Sequence, residues 1–116
     1  MTKHETIITI QNWHKKVFPN ATLHDQVLKW CEEVKEFYES KELSELADMV
    51  IVCAGIRRFN RNLELQFLEA TYVVASENGF DMTELWDEVD VKMKKNRKRV
   101  WERQPDGTFH HINKED

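Results

Sequence analysis

Glycine, proline and cysteine are all scarce in this chain of 116 residues, which has three, two and two copies of them. A β fold rich in tight turns uses more glycine and proline, so the composition favours long helices. No apolar run approaches the roughly 18 residues that span a bilayer, and we expect no membrane partner. The charge is mildly acidic, with 21 acidic against 17 basic residues, which argues against a protein dedicated to nucleic acid. We therefore expect one cytoplasmic domain over residues 1–116.

The two cysteines, Cys31 and Cys53, both fall in apolar stretches with helical periodicity. Such thiols are typical of small core residues in a reducing compartment, although the sequence leaves a disulfide open. We predict that both are free and buried.

Apolar periodicity predicts five helices and hence an all-α bundle of four to five helices. Thr22 with Asp25 and Asp81 with Glu84 are capping-box signals for the second and fifth helices. Residues 102–116 are polar, and we expect an irregular tail with a turn at residues 105–107. The predicted helices cover residues 6–17, 22–40, 43–59, 63–76 and 81–100.

The third predicted helix is apolar on all sides, which indicates a central position in the bundle. Asp48 lies within this apolar run and Glu45 lies at its start. A buried charge costs several kcal/mol unless it is paired or bound to a metal. Asp48 is therefore our first candidate for a metal ligand.

Two pairs of carboxylates flank the turn between the second and third helices. If that turn is symmetric, Glu33 lies level with Asp48, and Glu36 lies level with Glu45. Four converging carboxylates repel one another unless they are protonated or bridged by cations. Their oxygens suit hard divalent ions, above all Mg²⁺. Gln26 and Lys29 lie on the same flank of the second helix, facing the same cleft.

Glutamates on a helix are also typical of a solvated surface, and Glu32, Glu33 and Glu36 alone would favour that interpretation. The second pair, in an otherwise apolar helix, favours a site.

The fifth helix ends in a cluster of basic residues around an inward-facing amide, Asn96. Lys92 and Arg99 flank this amide at helical spacing. Cations at a helix C-terminus also have a structural explanation, because they complement the helix dipole. The amide between two cations suits a polyphosphate, which metals hold on one side and basic side chains on the other.

Three motifs in this order resemble the all-α nucleoside triphosphate pyrophosphohydrolase superfamily, which includes MazG-like enzymes, dimeric dUTPases and dCTP pyrophosphatases. The tail from Trp101 to His111 also resembles that of phage-type dATP/dGTP diphosphohydrolases. The motifs are Glu32-Glu33-x-x-Glu36, Glu45-Leu46-Ala47-Asp48 and Lys92-Met93-x-x-Asn96-Arg97-x-Arg99.

The resemblance implies hydrolysis of a (deoxy)nucleoside triphosphate to a monophosphate and pyrophosphate. It implies Mg²⁺ as cofactor, with Mn²⁺ as a substitute, and a homodimer or homotetramer. Glu32 would orient or deprotonate the attacking water, or would simply be solvated. The implied metal ligands are Glu33, Glu36, Glu45 and Asp48. The implied phosphate contacts are Lys92, Asn96 and Arg99.

The remaining predicted substrate contacts are Lys29 and two tryptophans, Trp13 and Trp30. Together with Trp101, these tryptophans are candidates to stack on the base, although a tryptophan at helical spacing is more often part of a core.

Three alternatives remain open at this point. The first is a non-catalytic helical module that binds nucleic acid or a protein through its basic helix, without dependence on Mg²⁺. The second is a pyrophosphohydrolase of the phosphoribosyl-ATP type on the same scaffold. The third places a transition metal on His24, His110 and His111, whose irregular spacing disfavours it.

Overall fold

The computed structural model describes residues 4–99, 101–103 and 109–111. In this part of the chain, five helices form the body of the protein and two short strands follow them, so the predicted all-α body is confirmed. The helices are α1 Ile7–Val17, α2 Leu23–Ser40, α3 Leu43–Arg57, α4 Arg61–Glu77 and α5 Met82–Asn96, and the strands are β1 Trp101–Arg103 and β2 Phe109–His111.

Side-chain caps fix where α2 and α5 begin. Both predicted capping boxes form, with Thr22 and Asp25 at the start of α2 and Asp81 and Glu84 at the start of α5. In each box the two side chains accept hydrogen bonds from each other's backbone N–H groups, which the first helical turn leaves unpaired.

Helix α3 is the centre of the bundle, as its composition predicts. Ten of its fifteen residues are buried, and it packs against α1, α2, α4 and α5. Among the described residues, no helix combines the length and the apolarity that crossing a membrane requires.

The fifth helix is shorter than predicted. It ends at Asn96 rather than near residue 100, and a turn follows in which the Arg99 N–H donates to the Asn96 carbonyl at 3.2 Å. Clustered cations repel one another along a helix, and β1 requires an extended backbone from Trp101 onward. The basic residues of this segment therefore lie partly on a helix and partly on a turn.

The segment predicted as an irregular tail contains ordered strands. Strands β1 and β2 pair antiparallel, with Trp101 opposite His111. The polar composition of this segment suggested irregular structure. Strand pairing, however, joins backbone groups and is compatible with polar side chains. The predicted turn at residues 105–107 lies outside the described part of the chain.

One residue of α2 that was predicted to be buried lies at the surface, and an aromatic residue of the same helix is also exposed. Cys31 is exposed, whereas Cys53 is buried, and both thiols are free. Tyr38 is 49% exposed. The buried stripe of α2 is therefore narrower than the sequence pattern predicts.

Candidate functional site

A cleft of about 320 Å³ lies among α1, α2, α3, α5 and the start of β1. Its volume is within the range of small-molecule sites. It brings together nine of the eleven residues that the sequence analysis assigned to a site. These nine are Trp13, Lys29, Glu33, Glu36, Glu45, Asp48, Lys92, Asn96 and Arg99.

The acidic part of the cleft is the α2–α3 hairpin. Glu33, Glu45 and Asp48 each place a carboxylate oxygen within 4.8 Å of the others. Glu36 also lines the cleft, but it is exposed and lies outside this close group. The symmetric turn therefore brings the carboxylates together, with three of the four in a tight cluster.

The charges of this cluster repel one another. Burial, followed by the nearby charge of Asp48, raises the pKa of Glu33 to about 9. Burial also raises the pKa of Asp48 to about 6, against the opposing effect of Lys92. Without a cation, the cluster therefore retains a proton at neutral pH.

Two lysines partly neutralise the cluster. The Lys29 ammonium lies 3.3 Å from Glu33 Oε2, and the Lys92 ammonium lies 3.1 Å from Asp48 Oδ2. Burial lowers the pKa of Lys29, but the charges of Glu33 and its acidic neighbours outweigh that effect and raise the pKa overall. Both lysines are therefore positively charged groups at the edge of the cluster.

The donor set fits a hard divalent cation. Glu33 Oε1 is buried and has no hydrogen-bond partner among the described residues. Oxygens from neighbouring carboxylates are the ligands that Mg²⁺ and Mn²⁺ take in proteins. In the described part of the chain, the side chains that form such a group are Glu33, Glu45 and Asp48.

The alternative transition-metal site on histidines gains no support. His24 is exposed and belongs to no such group among the described residues. His110 and His111 lie in β2, and their side chains are outside the described part.

The end of α5 supplies the polar wall across the cleft from the carboxylates. Asn96 is 5% exposed, and its Oδ1 accepts a hydrogen bond from Arg99 Nη1 at 3.2 Å. The Trp101 indole N–H donates to the Asn96 carbonyl at 3.4 Å. Asn96 thus links the end of α5, the turn and β1 into one wall.

An aromatic cluster closes another side of the cleft. Trp13 meets Phe18 edge to face, with ring centroids 5.5 Å apart, and meets Trp101 in the same way at 6.1 Å. Trp13 is 8% exposed, so most of its ring is core, and only part of it lines the cleft.

Trp30 is outside the group of residues that line the cleft, and its predicted stacking on the base stays a prediction. Its indole N–H donates to Thr71 Oγ1 at 3.1 Å, and its ring packs against Phe67 with centroids 4.7 Å apart. It follows Lys29 by one residue, which rotates it by about 100° around α2. It therefore faces α4 rather than the cleft.

Glu32 is also outside the group of residues that line the cleft. Its charge acts on Lys29, and its Oε2 is enclosed without a hydrogen-bond partner among the described residues. Its predicted action on the attacking water stays a prediction.

Sequence analysis missed several cleft residues and assigned no role to Gln26. The most informative omission is His14, which is 4% exposed. The available signal was its position four residues after Ile10, on the buried face of α1. Besides these two, the unassigned residues that line the cleft are Phe18, Ile51 and Val52.

In comparisons with known proteins, the chain matches no family model, no curated protein and no solved structure.

Proposed function

We propose that the protein is an all-α nucleoside triphosphate pyrophosphohydrolase, which hydrolyses (deoxy)nucleoside triphosphates to a monophosphate and pyrophosphate. The observation that carries this proposal is the composition of the cleft. A partly buried carboxylate cluster lines the same cleft as a group of amide and cationic side chains. This arrangement suits a ligand that combines divalent metal with several phosphates.

The residues that would hold Mg²⁺ are Glu33, Glu45 and Asp48, joined by Glu36 if its exposed side chain turns inward. When bound, Mg²⁺ would neutralise triphosphate charge and lower the pKa of a water molecule at the phosphorus to be attacked.

The lysines would change partners when substrate binds. Lys29 and Lys92 now lie against the carboxyl groups of Glu33 and Asp48. Once a cation satisfies these carboxylates, the ammonium groups are available to phosphate oxygens. Asn96 and Arg99 would hold the same phosphates from the opposite wall, which orients the triphosphate across the cluster.

Water is the proposed nucleophile. The proposed step is direct attack of water on the α phosphorus with pyrophosphate as the leaving group, so it includes no covalent intermediate with the protein. Glu32 is the proposed water-activating residue, and it would have to reach the cleft when substrate binds.

The proposal is tested by following pyrophosphate release from a panel of ribo- and deoxyribonucleoside triphosphates and phosphoribosyl-ATP. The wild-type protein is compared with Asp48→Asn, which keeps the shape of the side chain and removes its charge. We expect turnover that needs Mg²⁺ or Mn²⁺. It should fall on the order of 100-fold in the variant, because loss of the Asp48 charge weakens the hold on the metal that stabilises charge developing in the transition state.

The matched control is Asp87→Asn, which makes the same chemical change at an exposed position of α5. It should retain wild-type turnover. A folded wild-type protein that leaves the whole panel intact would contradict the proposal and favour a non-catalytic binding module.

A further inference from the structure

A hydrogen-bonded chain of three polar side chains, Arg58, His14 and Gln26, reaches the cleft, and two of them, His14 and Gln26, line it. Arg58 Nη1 lies 2.8 Å from His14 Nδ1 and donates to the Phe18 carbonyl at 2.8 Å. The imidazole of His14 is hydrogen-bonded in turn to the side chain of Gln26. Gln26 precedes Glu33 by seven residues, which is about 10 Å along α2.

The direction of each hydrogen bond in this chain follows from the first donor. A guanidinium group only donates, so His14 Nδ1 must accept the hydrogen bond from Arg58. Burial and the charge of Arg58 lower the pKa of His14 to about 3, so the ring is neutral and its one proton is on Nε2. His14 Nε2–H therefore donates, and its partner on Gln26 is the amide oxygen.

Gly55 makes room for this contact. A Cβ atom at Gly55 would overlap Gln26 Oε1 and would lie 2.8 Å from His14 Nε2. Glycine is unfavourable inside a helix, yet here its missing side chain is the space in which the imidazole and the amide meet. The orientation of Gln26 is therefore fixed from two sides, by His14 and by α3.

With its oxygen turned toward His14 and α3, Gln26 offers its amide N–H donors to the cleft that it lines. A planar base could enter beside the edges of the Trp13, Phe18 and Trp101 rings. Its phosphates would point toward the carboxylates, so the base edge remote from the sugar would meet Gln26. That edge carries a carbonyl in guanine, hypoxanthine, uracil and thymine, and an amino group in adenine and cytosine.

We propose that Gln26, oriented by Arg58 and His14, selects nucleotides whose base carries a carbonyl at the edge remote from the sugar. This inference rests on the proposed function for the identity of the ligand as a nucleotide. An amide N–H can donate to a carbonyl oxygen but not to the exocyclic amino group of adenine or cytosine, which is itself a donor. Arg58 and His14 act as positioning residues, because they fix which end of the amide faces the ligand.

The test compares matched nucleotides that differ at this edge. Binding of dIMP is compared with dAMP, and dUMP with dCMP, by isothermal titration calorimetry, which requires no turnover. We expect the carbonyl-bearing member of at least one pair to bind about tenfold or more tightly. Equal affinity within both pairs, tighter binding of the amino members, or no binding of any nucleotide would overturn the inference.

Substitutions of Gln26 test whether this residue causes the selectivity between the paired nucleotides. Gln26→Met replaces the amide by an apolar chain of similar length and should reduce the affinity ratio within each pair to near one. Gln26→Glu keeps the shape but offers only acceptors, so it should shift the ratio toward dAMP and dCMP. Gln66→Met, at an exposed position of α4, should keep the wild-type ratio. A folded Gln26→Met protein with the wild-type ratio would contradict the assignment.

Failure of this inference is distinguishable from failure of the proposed function. Pyrophosphate release without selectivity at the base edge would retain the enzyme and reject the role of Gln26. Selective binding of monophosphates without any hydrolysis would retain Gln26 and reject the enzyme.

Discussion

Glu33 and His14 are buried ionisable groups of the same cleft whose pKa values are displaced in opposite directions. His14, beside Arg58, is held neutral, with its pKa lowered to about 3. Glu33, among other carboxylates, takes up a proton more readily, and its pKa is raised to about 9. The part of the cleft around His14 therefore has a fixed protonation state, whereas the protonation of the carboxylate cluster responds to pH and to cations.

Glu33 should make the stability of the metal-free protein depend on pH. Its folded pKa exceeds the ordinary value of 4.5, so between these values the folded state binds more protons than the unfolded state, and stability falls as pH rises. His14, whose pKa is lowered to about 3 from the ordinary 6.5, is neutral in both states only well above pH 6.5, so near pH 6.5 it adds a small slope of the opposite sign. We expect the free energy of unfolding to drop from pH 6.5 to 9 by on the order of 2 kcal/mol. Urea denaturation at the two pH values measures this drop.

The Glu33→Gln variant, which cannot ionise at this position, should lose most of that drop. It should also lose most of the stabilisation that Mg²⁺ gives the wild-type protein at pH 8, because a ligand is removed. Glu69→Gln, at an exposed site on α4, is the control and should behave as wild type. Equal pH dependence in wild type and Glu33→Gln would show that Glu33 is not the group responsible.

At the scale of helices, the α2–α3 hairpin was predictable because its register depends only on the turn. Glu33 faces Asp48 across that turn, and Gln26, seven residues earlier, meets Gly55, seven residues after Asp48. Local spacing alone therefore predicted the carboxylate cluster. The capping boxes of α2 and α5 were predictable for the same reason, since each involves residues three apart.

Features that depend on distant parts of the chain were not predictable from local spacing. The early end of α5 accompanies the pairing of β1 with β2. The neutral state of His14 depends on Arg58, 44 residues away. The position of Trp30 outside the cleft depends on Thr71 and Phe67, which belong to α4. Helical periodicity identifies a buried flank, but it does not say which helix covers that flank.

At the scale of the whole molecule, large apolar side chains remain exposed on α2 and α4. Tyr38 is 49% exposed, Leu65 49% and Val73 50%. A chain of this size buries a small hydrophobic core, which limits its stability as an isolated monomer. The homodimer or homotetramer implied by the family resemblance stays a proposal.

Size-exclusion chromatography with light scattering at micromolar concentration tests the assembly. We expect a mass of two or four times the chain mass of 13.9 kDa, because closed symmetric assemblies are the commonest way to cover such surface. A single species with the mass of one chain across the concentration range would reject the proposal.

The central claim is that the carboxylate cleft hydrolyses the bond between the α and β phosphates. Phosphorus NMR of wild-type protein incubated with a mixture of nucleoside triphosphates and Mg²⁺ tests it most directly. The account predicts nucleoside monophosphate and pyrophosphate in equal amounts, with no reaction when EDTA replaces Mg²⁺. Nucleoside diphosphate and orthophosphate as products, or unchanged triphosphates in the presence of folded protein and Mg²⁺, would contradict it.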